Sequence, residues 1–91
     1  MKYIVEYRFQ PAAHLDTMKR FAETQGPPPP GITMHRRWHA AGGHRGFTYA
    51  ETDDLKTLYA WVLNWADLLS FEVIPVLDDA EVTEVLTAHF K

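Results

Sequence analysis

From Glu51 to Leu77 the chain reads as the end of a strand, a capped helix and a second strand, and this block limits the folds open to the rest. Thr52-Asp53-Asp54 supplies side-chain oxygens and negative charge at a helix N-terminus. From Leu55 onward, Leu58, Tyr59, Trp61, Val62, Trp65, Leu68 and Leu69 recur at about 100° per residue. They cover roughly half of the helix circumference, wider than the ~100° stripe of an ordinary surface helix, so one sheet does not account for all of them. Ser70 to Leu77 follows as a strand, and Pro75 restricts it to an edge or a bulge, because proline removes a ladder donor.

Working outward, Lys2 to Phe9 alternates, with Tyr3, Val5, Tyr7 and Phe9 on one face and Ile4, Glu6 and Arg8 on the other. Pro11 suits the first turn of a helix from about Ala12 to Thr24, whose apolar stripe is expected to be Leu15, Met18, Phe21 and Ala22. Gly26 is expected as its left-handed cap, and Pro27 to Pro30 form a stiff connector of roughly 12 Å in the polyproline II conformation. Ile32 to Ala40 and Gly46 to Glu51 are strands joined by a glycine-containing hairpin turn at Ala41 to Arg45. Asp78 and Glu81 have the spacing of a capping box, and Val82, Val85, Leu86 and His89 give a short final helix one apolar face.

The order β-α-β-β-α-β plus a short C-terminal helix matches an α+β, ferredoxin-like domain over residues 1–91, with an antiparallel sheet ordered 4-1-3-2 and both long helices on one side. In that order the fourth strand is an edge, where Pro75 is tolerated. Placing the more apolar alternation under the helices leaves Ile4, Glu6, Arg8, His35, Arg37, His39, Thr48, Ala50, Glu72, Ile74 and Val76 on the open face. Such a mixed face suits the lining of a barrel closed by a second copy of the chain. A monomer of this size hides only about 60–65% of the surface its unfolded chain exposes, which also favours a partner.

At Glu51-Thr52-Asp53-Asp54, Trp61, Trp65, Asp67-Leu68, Phe71-Glu72-Val73 and Pro75-Val76-Leu77 the chain resembles domain-of-unknown-function family 3303, and the likeness runs over most of the chain, from the first strand, ending in Arg8-Phe9-Gln10-Pro11, to Asp78. The Pro27 to Pro30 run and the His35 to Arg45 hairpin depart from that pattern. The resemblance implies a short protein of the dimeric α+β barrel type and a homodimer, and it implies no reaction. The wider barrel group includes cofactor-free monooxygenases, chlorite-dismutase-like haem proteins, stress-induced dimers and small ligand sensors, an analogy at the level of fold only.

A formal charge of −3 offers no general attraction to nucleic acid or to anionic membranes. With no cysteine, disulfides and thiolate metal sites are excluded, and with no signal-like or membrane-spanning apolar run the expected location is the cytoplasm. His35 and His39, four apart on a regular strand, would share a face but lie roughly 13 Å apart, too far to bind one metal. No metal site and no cofactor are therefore assigned, and no nucleophile motif or glycine-rich phosphate loop is present.

The run His35-Arg36-Arg37-Trp38-His39, with His44 and Arg45, is a local basic and aromatic patch; arginine's planar fork of donors favours a small carboxylate or phosphate there over nucleic acid, and a solvated edge strand blunted by charge is the leading reading of the run. The ligand-binding candidates are Glu6, Arg8, His35, Arg37, His39 and Glu72, with Glu6, Arg8, Arg37 and Glu72 expected to converge on the open face. The leading expectation is a homodimer binding a small apolar or anionic molecule between its sheets. The alternatives are a cofactor-independent oxygenase or isomerase with Glu6, His39 or Glu72 as base, and a non-enzymatic partner-binding module using the proline spacer and the basic hairpin.

Overall fold

The first strand is the one on which the sheet is built. In the computed structural model, which describes residues 1–91, β1 (Lys2–Phe9) pairs antiparallel with β3 (Arg45–Glu51) on one side and β4 (Leu69–Val76) on the other. β2 (Thr33–His39) continues the sheet beyond β3, giving the order β2-β3-β1-β4, which is 4-1-3-2 counted from the opposite edge. Helices α1 (His14–Thr24) and α2 (Leu55–Leu63) connect the strands, and α3 (Asp79–His89) ends the fold. β4 is an edge strand, as Pro75 requires.

Two buried clusters hold the helices to the sheet. One joins Tyr3, Val5, Ile32, Ala50, Leu58 and Trp61; the other joins Tyr7, Ala13, Leu68 and Leu69. Residues directly opposite one another in a ladder share a face. Tyr3 faces Ala50, Val5 faces Thr48 and Tyr7 faces Gly46, so the helix side of β3 is Gly46, Thr48 and Ala50. Thr48 and Ala50, expected on the open face, are therefore core, and Phe47 and Tyr49 take the open face instead. The cause is volume: two tyrosines on β1 fill the layer beneath the helices and leave room only for small neighbours.

Gly46 shows how tight that layer is. A Cβ there would stand inside the contact shell of the Tyr7 phenol and 2.7 Å from the Trp38 carbonyl oxygen. Its small size is required by close approach rather than by backbone angle.

A second departure lies in β2. Met34 faces Ala50, but the next paired residue is Arg36, opposite Tyr49, so His35 is an extra residue in a β-bulge. The alternation resets after it: Arg37 faces Thr48 and His39 faces Gly46 on the helix side, while Arg36 and Trp38 turn to the open face. Arg37 and His39 thus lie on the opposite face from the one a regular strand predicts. His35 remains on the open face, its Nε2 2.8 Å from Glu51 Oε1 and its ring 4.7 Å from Tyr49.

The helices also differ in detail. α1 buries Ala13 at its start and Thr17, whose hydroxyl donates to the Ala13 carbonyl at 2.7 Å, whereas Leu15 is 80% exposed and Met18 and Ala22 are also exposed. Gln25, at φ 61°, forms its left-handed cap one residue before Gly26. α2 is shorter than its periodicity suggests, ending at Leu63 with a run of turns to Leu68. The Asp54 carboxylate caps it by accepting from the backbone N–H groups of Lys56 and Thr57. Leu55, Tyr59 and Leu63 stay exposed, so the wide apolar face is only partly covered.

α3 carries a complete capping box between Asp78 and Glu81 yet buries none of its residues. Its polar link to the sheet is Lys2, whose Nζ lies 2.9 Å from Glu81 and 3.5 Å from Asp78. The chain measures 53 × 29 × 18 Å with a radius of gyration of 15.4 Å, against about 12 Å for a compact chain of this length. None of its helices is long and apolar enough to cross a membrane.

Candidate functional site

The bulge at His35 turns two polar side chains of β2 into the layer between sheet and helices, where they meet aromatic walls. β1 contributes Val5 and Tyr7 to the resulting cleft, α1 contributes Met18 and Phe21, and α2 contributes Trp61 and Val62. Trp65, from the turns after α2, and Phe71, from β4, complete the apolar lining, and Thr48, Arg37 and His39 supply polar groups. Its volume is ≈ 60 Å³, room for about four water molecules, and its mouth is open to solvent.

Arg37 is positioned by the chain end of α1. Its Nη1 donates to the Gln25 carbonyl at 2.9 Å and its Nη2 to the Gly26 carbonyl at 2.6 Å, with the guanidinium carbon 5.4 Å from the Phe21 ring centre. Gly26 is buried, has φ 51°, and would place a Cβ 3.2 Å from Arg37 Nη1, so this junction needs glycine for both angle and space. Two of the five guanidinium N–H groups are engaged in these bonds, leaving three. The chain's ion pairs all use other cations, so the Arg37 charge has no carboxylate counterpart. Burial lowers its affinity for its proton, although an arginine remains charged throughout the ordinary pH range.

Tyr7 and His39 form the second polar feature. Tyr7 Oη and His39 Nδ1 are 2.7 Å apart, and the Phe21 ring packs edge-on against the imidazole at 5.0 Å. Burial raises the Tyr7 pKa above 10.0, keeping the phenol protonated at neutral pH. Partial desolvation against the cleft wall, with the Arg37 charge second, lowers the pKa of the otherwise exposed His39 below 6.5, keeping the imidazole neutral. The opposite wall is braced by Arg20, which binds Asp67 through two nitrogens at 2.9 and 2.6 Å and lies over Trp65 at 5.3 Å.

The other candidates are elsewhere. Glu6, Arg8 and Glu72 do meet on the open face, at a depression of ≈ 210 Å³ with Ser70 and Phe71 at its edge. Glu6 lies directly across from Glu72 in the ladder. It is only 8% exposed and its Oε1 is bound by Arg8 at 3.0 Å and Arg45 at 3.2 Å. That carboxylate is committed to ion pairing, so despite its larger volume the depression is the weaker candidate, with a single apolar lining residue. Arg37, expected beside Glu6, is on the other side of the sheet, and His35 and His39 face opposite ways. His44 packs against His14 at 5.9 Å, away from the cleft.

Tyr7, Phe21, Trp61 and Trp65 were legible as core but not as cleft walls, since only the bulge brings a charge among them. Arg36-Arg37, two adjacent cations in a strand flanked by histidines, was the available hint that the alternation breaks there.

The family model described as a domain of unknown function (DUF3303) matches residues 1–90. The chain belongs to that family. No curated protein and no solved structure matches it significantly. The DUF3303 assignment leaves chemistry to be argued from the cleft itself.

Proposed function

We propose that this DUF3303 protein is a homodimer that binds a small planar anion in the cleft between each subunit's helices and sheet. The observation that carries the ligand is Arg37, a guanidinium with free donors and no counter-ion, held at the wall of an aromatic cleft. A carboxylate takes two parallel N–H bonds from such a fork, and Phe21, Trp61 and Trp65 offer flat apolar surface to a ring or short chain attached to it. Few convergent polar groups in an apolar cleft is the usual composition of a small-molecule site. The ligand's place is therefore this cleft rather than the space between two sheets, because Arg37 and His39 stand on the helix side.

Dimerisation is supported by surface area. The chain exposes 6426 Å², whereas a compact monomer of its mass exposes about 5,400 Å². The surplus of about 1,000 Å² is comparable to the ~800 Å² that each partner buries in a stable interface. It includes Trp38 at the open face and Val82, Val85, Leu86 and Phe90 on or just after α3, which a second copy would cover with its own equivalent surface.

Titration with benzoate, followed by tryptophan fluorescence and by NMR, tests the cleft. Wild-type protein should bind with saturable quenching, and Arg37→Gln should weaken binding at least ~10-fold, the value of one charge-assisted contact of about 1.5 kcal/mol. Equal affinity in both proteins would refute the role of Arg37. Sedimentation velocity at micromolar concentration tests the assembly, and a monomer there would refute the dimer.

A further inference from the structure

We propose that the Tyr7–His39 pair makes the cleft a proton-transfer site, which interconverts the keto and enol forms of a small 2-oxo acid whose carboxylate is held by Arg37. This rests on the reading of the cleft as an anion site. It adds a reaction to it.

The pair is a neutral donor joined to a neutral acceptor by a 2.7 Å hydrogen bond, and both members line the cleft that holds the Arg37 charge. An imidazole has two nitrogens, and the bond to Tyr7 uses only Nδ1. In the tautomer with hydrogen on Nδ1, that N–H donates to the phenol oxygen, the phenol O–H is left for a ligand, and Nε2 carries a free lone pair. In the other tautomer the phenol donates to Nδ1 and Nε2 bears the hydrogen. The two tautomers are the two ends of a single relay.

The balance closes within the site. His39 Nε2 takes a proton from the carbon beside the substrate's ketone, and the C–H electron pair becomes a C=C bond. The carbonyl π pair moves to oxygen, which accepts the Tyr7 hydroxyl proton, and Tyr7 recovers a proton from His39 Nδ1. The product is the enol, and the pair ends in its other tautomer with both members uncharged. The reverse pass restores it, as does exchange with water, because His39 is solvent-exposed at the edge strand. No oxidant, reductant or second substrate enters. Charge builds transiently on the substrate oxygen beside the Tyr7 phenol donor, a group suited to stabilise it.

The surroundings fit this use of Tyr7. Its ring lies across Gly46, where any side chain would displace it, and Phe21 contacts His39 from above, so the pair is held in one geometry. The lowered His39 pKa and raised Tyr7 pKa keep both partners in the protonation states that the relay needs at neutral pH.

The test is ¹H NMR of phenylpyruvate in D₂O at pH 7.5, following loss of the C3 hydrogens, with benzoate titration in parallel. Wild-type protein should accelerate exchange saturably. Tyr7→Phe and His39→Gln should each lower the protein-dependent rate by ~10²-fold or more, the range for general acid–base groups, a larger loss than any they cause in benzoate affinity. Arg37→Gln should instead raise KM. The wild-type rate should fall as pH drops through a His39 value below 6.5. Phenylpyruvate that binds but exchanges at the buffer rate, or Tyr7→Phe with full rate, overturns the proposal while leaving the anion site standing. Benzoate binding without phenylpyruvate binding does the same. Failure of both ligands to bind overturns the anion site and the proposal together.

Discussion

Replacing Gly46 by alanine is the most direct probe of the layer that forms the cleft. The added methyl would enter the contact shell of the Tyr7 phenol and approach the Trp38 carbonyl to 2.7 Å, on a β-strand that cannot move without disturbing two ladders. Overpacking of this kind costs about 1–3 kcal/mol. Tilting the Tyr7 ring also lengthens its bond to His39, worth about 1 kcal/mol, while alanine gains roughly 0.5–1 kcal/mol over glycine in a strand. The net expectation is about 1–3.5 kcal/mol of destabilisation, read by urea unfolding at one fixed protein concentration as a lower midpoint with unchanged slope. The cause is isolated by a double-mutant cycle with Tyr7→Leu, which removes the phenol tip. If the ring is responsible, Gly46→Ala costs at least about 1 kcal/mol less in that background, since contacting residues couple on that scale. An equal cost in both backgrounds would assign the penalty to the Trp38 carbonyl and refute the argument that Tyr7 requires Gly46.

Deleting His35 joins Met34, opposite Ala50, directly to Arg36, opposite Tyr49, so the ladder becomes regular with Arg37 and His39 still on the helix side; retained benzoate binding is expected, and its loss with the sheet retained by circular dichroism would contradict His35 as the extra residue of the bulge. Because folding favours neutral His39, the unfolded chain takes up a proton as pH falls below about 6.5 while the folded chain does not, so this group's contribution is full above 6.5 and is lost on acidification; His39→Gln should flatten that part of a stability–pH curve. Leu86→Glu on the exposed face of α3 should weaken self-association at least ~10-fold by burying a charge in the subunit contact, measured by sedimentation equilibrium, with the monomer's helical content unchanged.

Much of the architecture was legible from local chemistry. The Asp54 and Asp78 caps, the glycine-containing hairpin turn and the placement of Pro75 on an edge all follow from single residues acting on the backbone beside them. The alternation in Lys2 to Phe9 likewise fixed which face of β1 meets the helices. The uncovered apolar residues of α2 and α3 were visible too, as an excess over what one sheet can bury.

Arg37, His39, Thr48 and Ala50 take the opposite face from the one alternation predicts, for two reasons that local pattern does not contain. In β3 the more apolar set, Phe47 and Tyr49, faces outward, because Tyr3 and Tyr7 on the neighbouring strand already fill the inner layer and select small partners. In β2 a single unpaired residue, His35, inverts every side chain after it, moving Arg37 and His39 from the open face into the cleft. By itself the amino-acid sequence determined the elements, their caps and their order, since those depend on neighbours a few positions away. Only the tertiary structure decided which face each polar residue takes, because strand register answers to volumes contributed by other strands, and one bulge reverses a period of two.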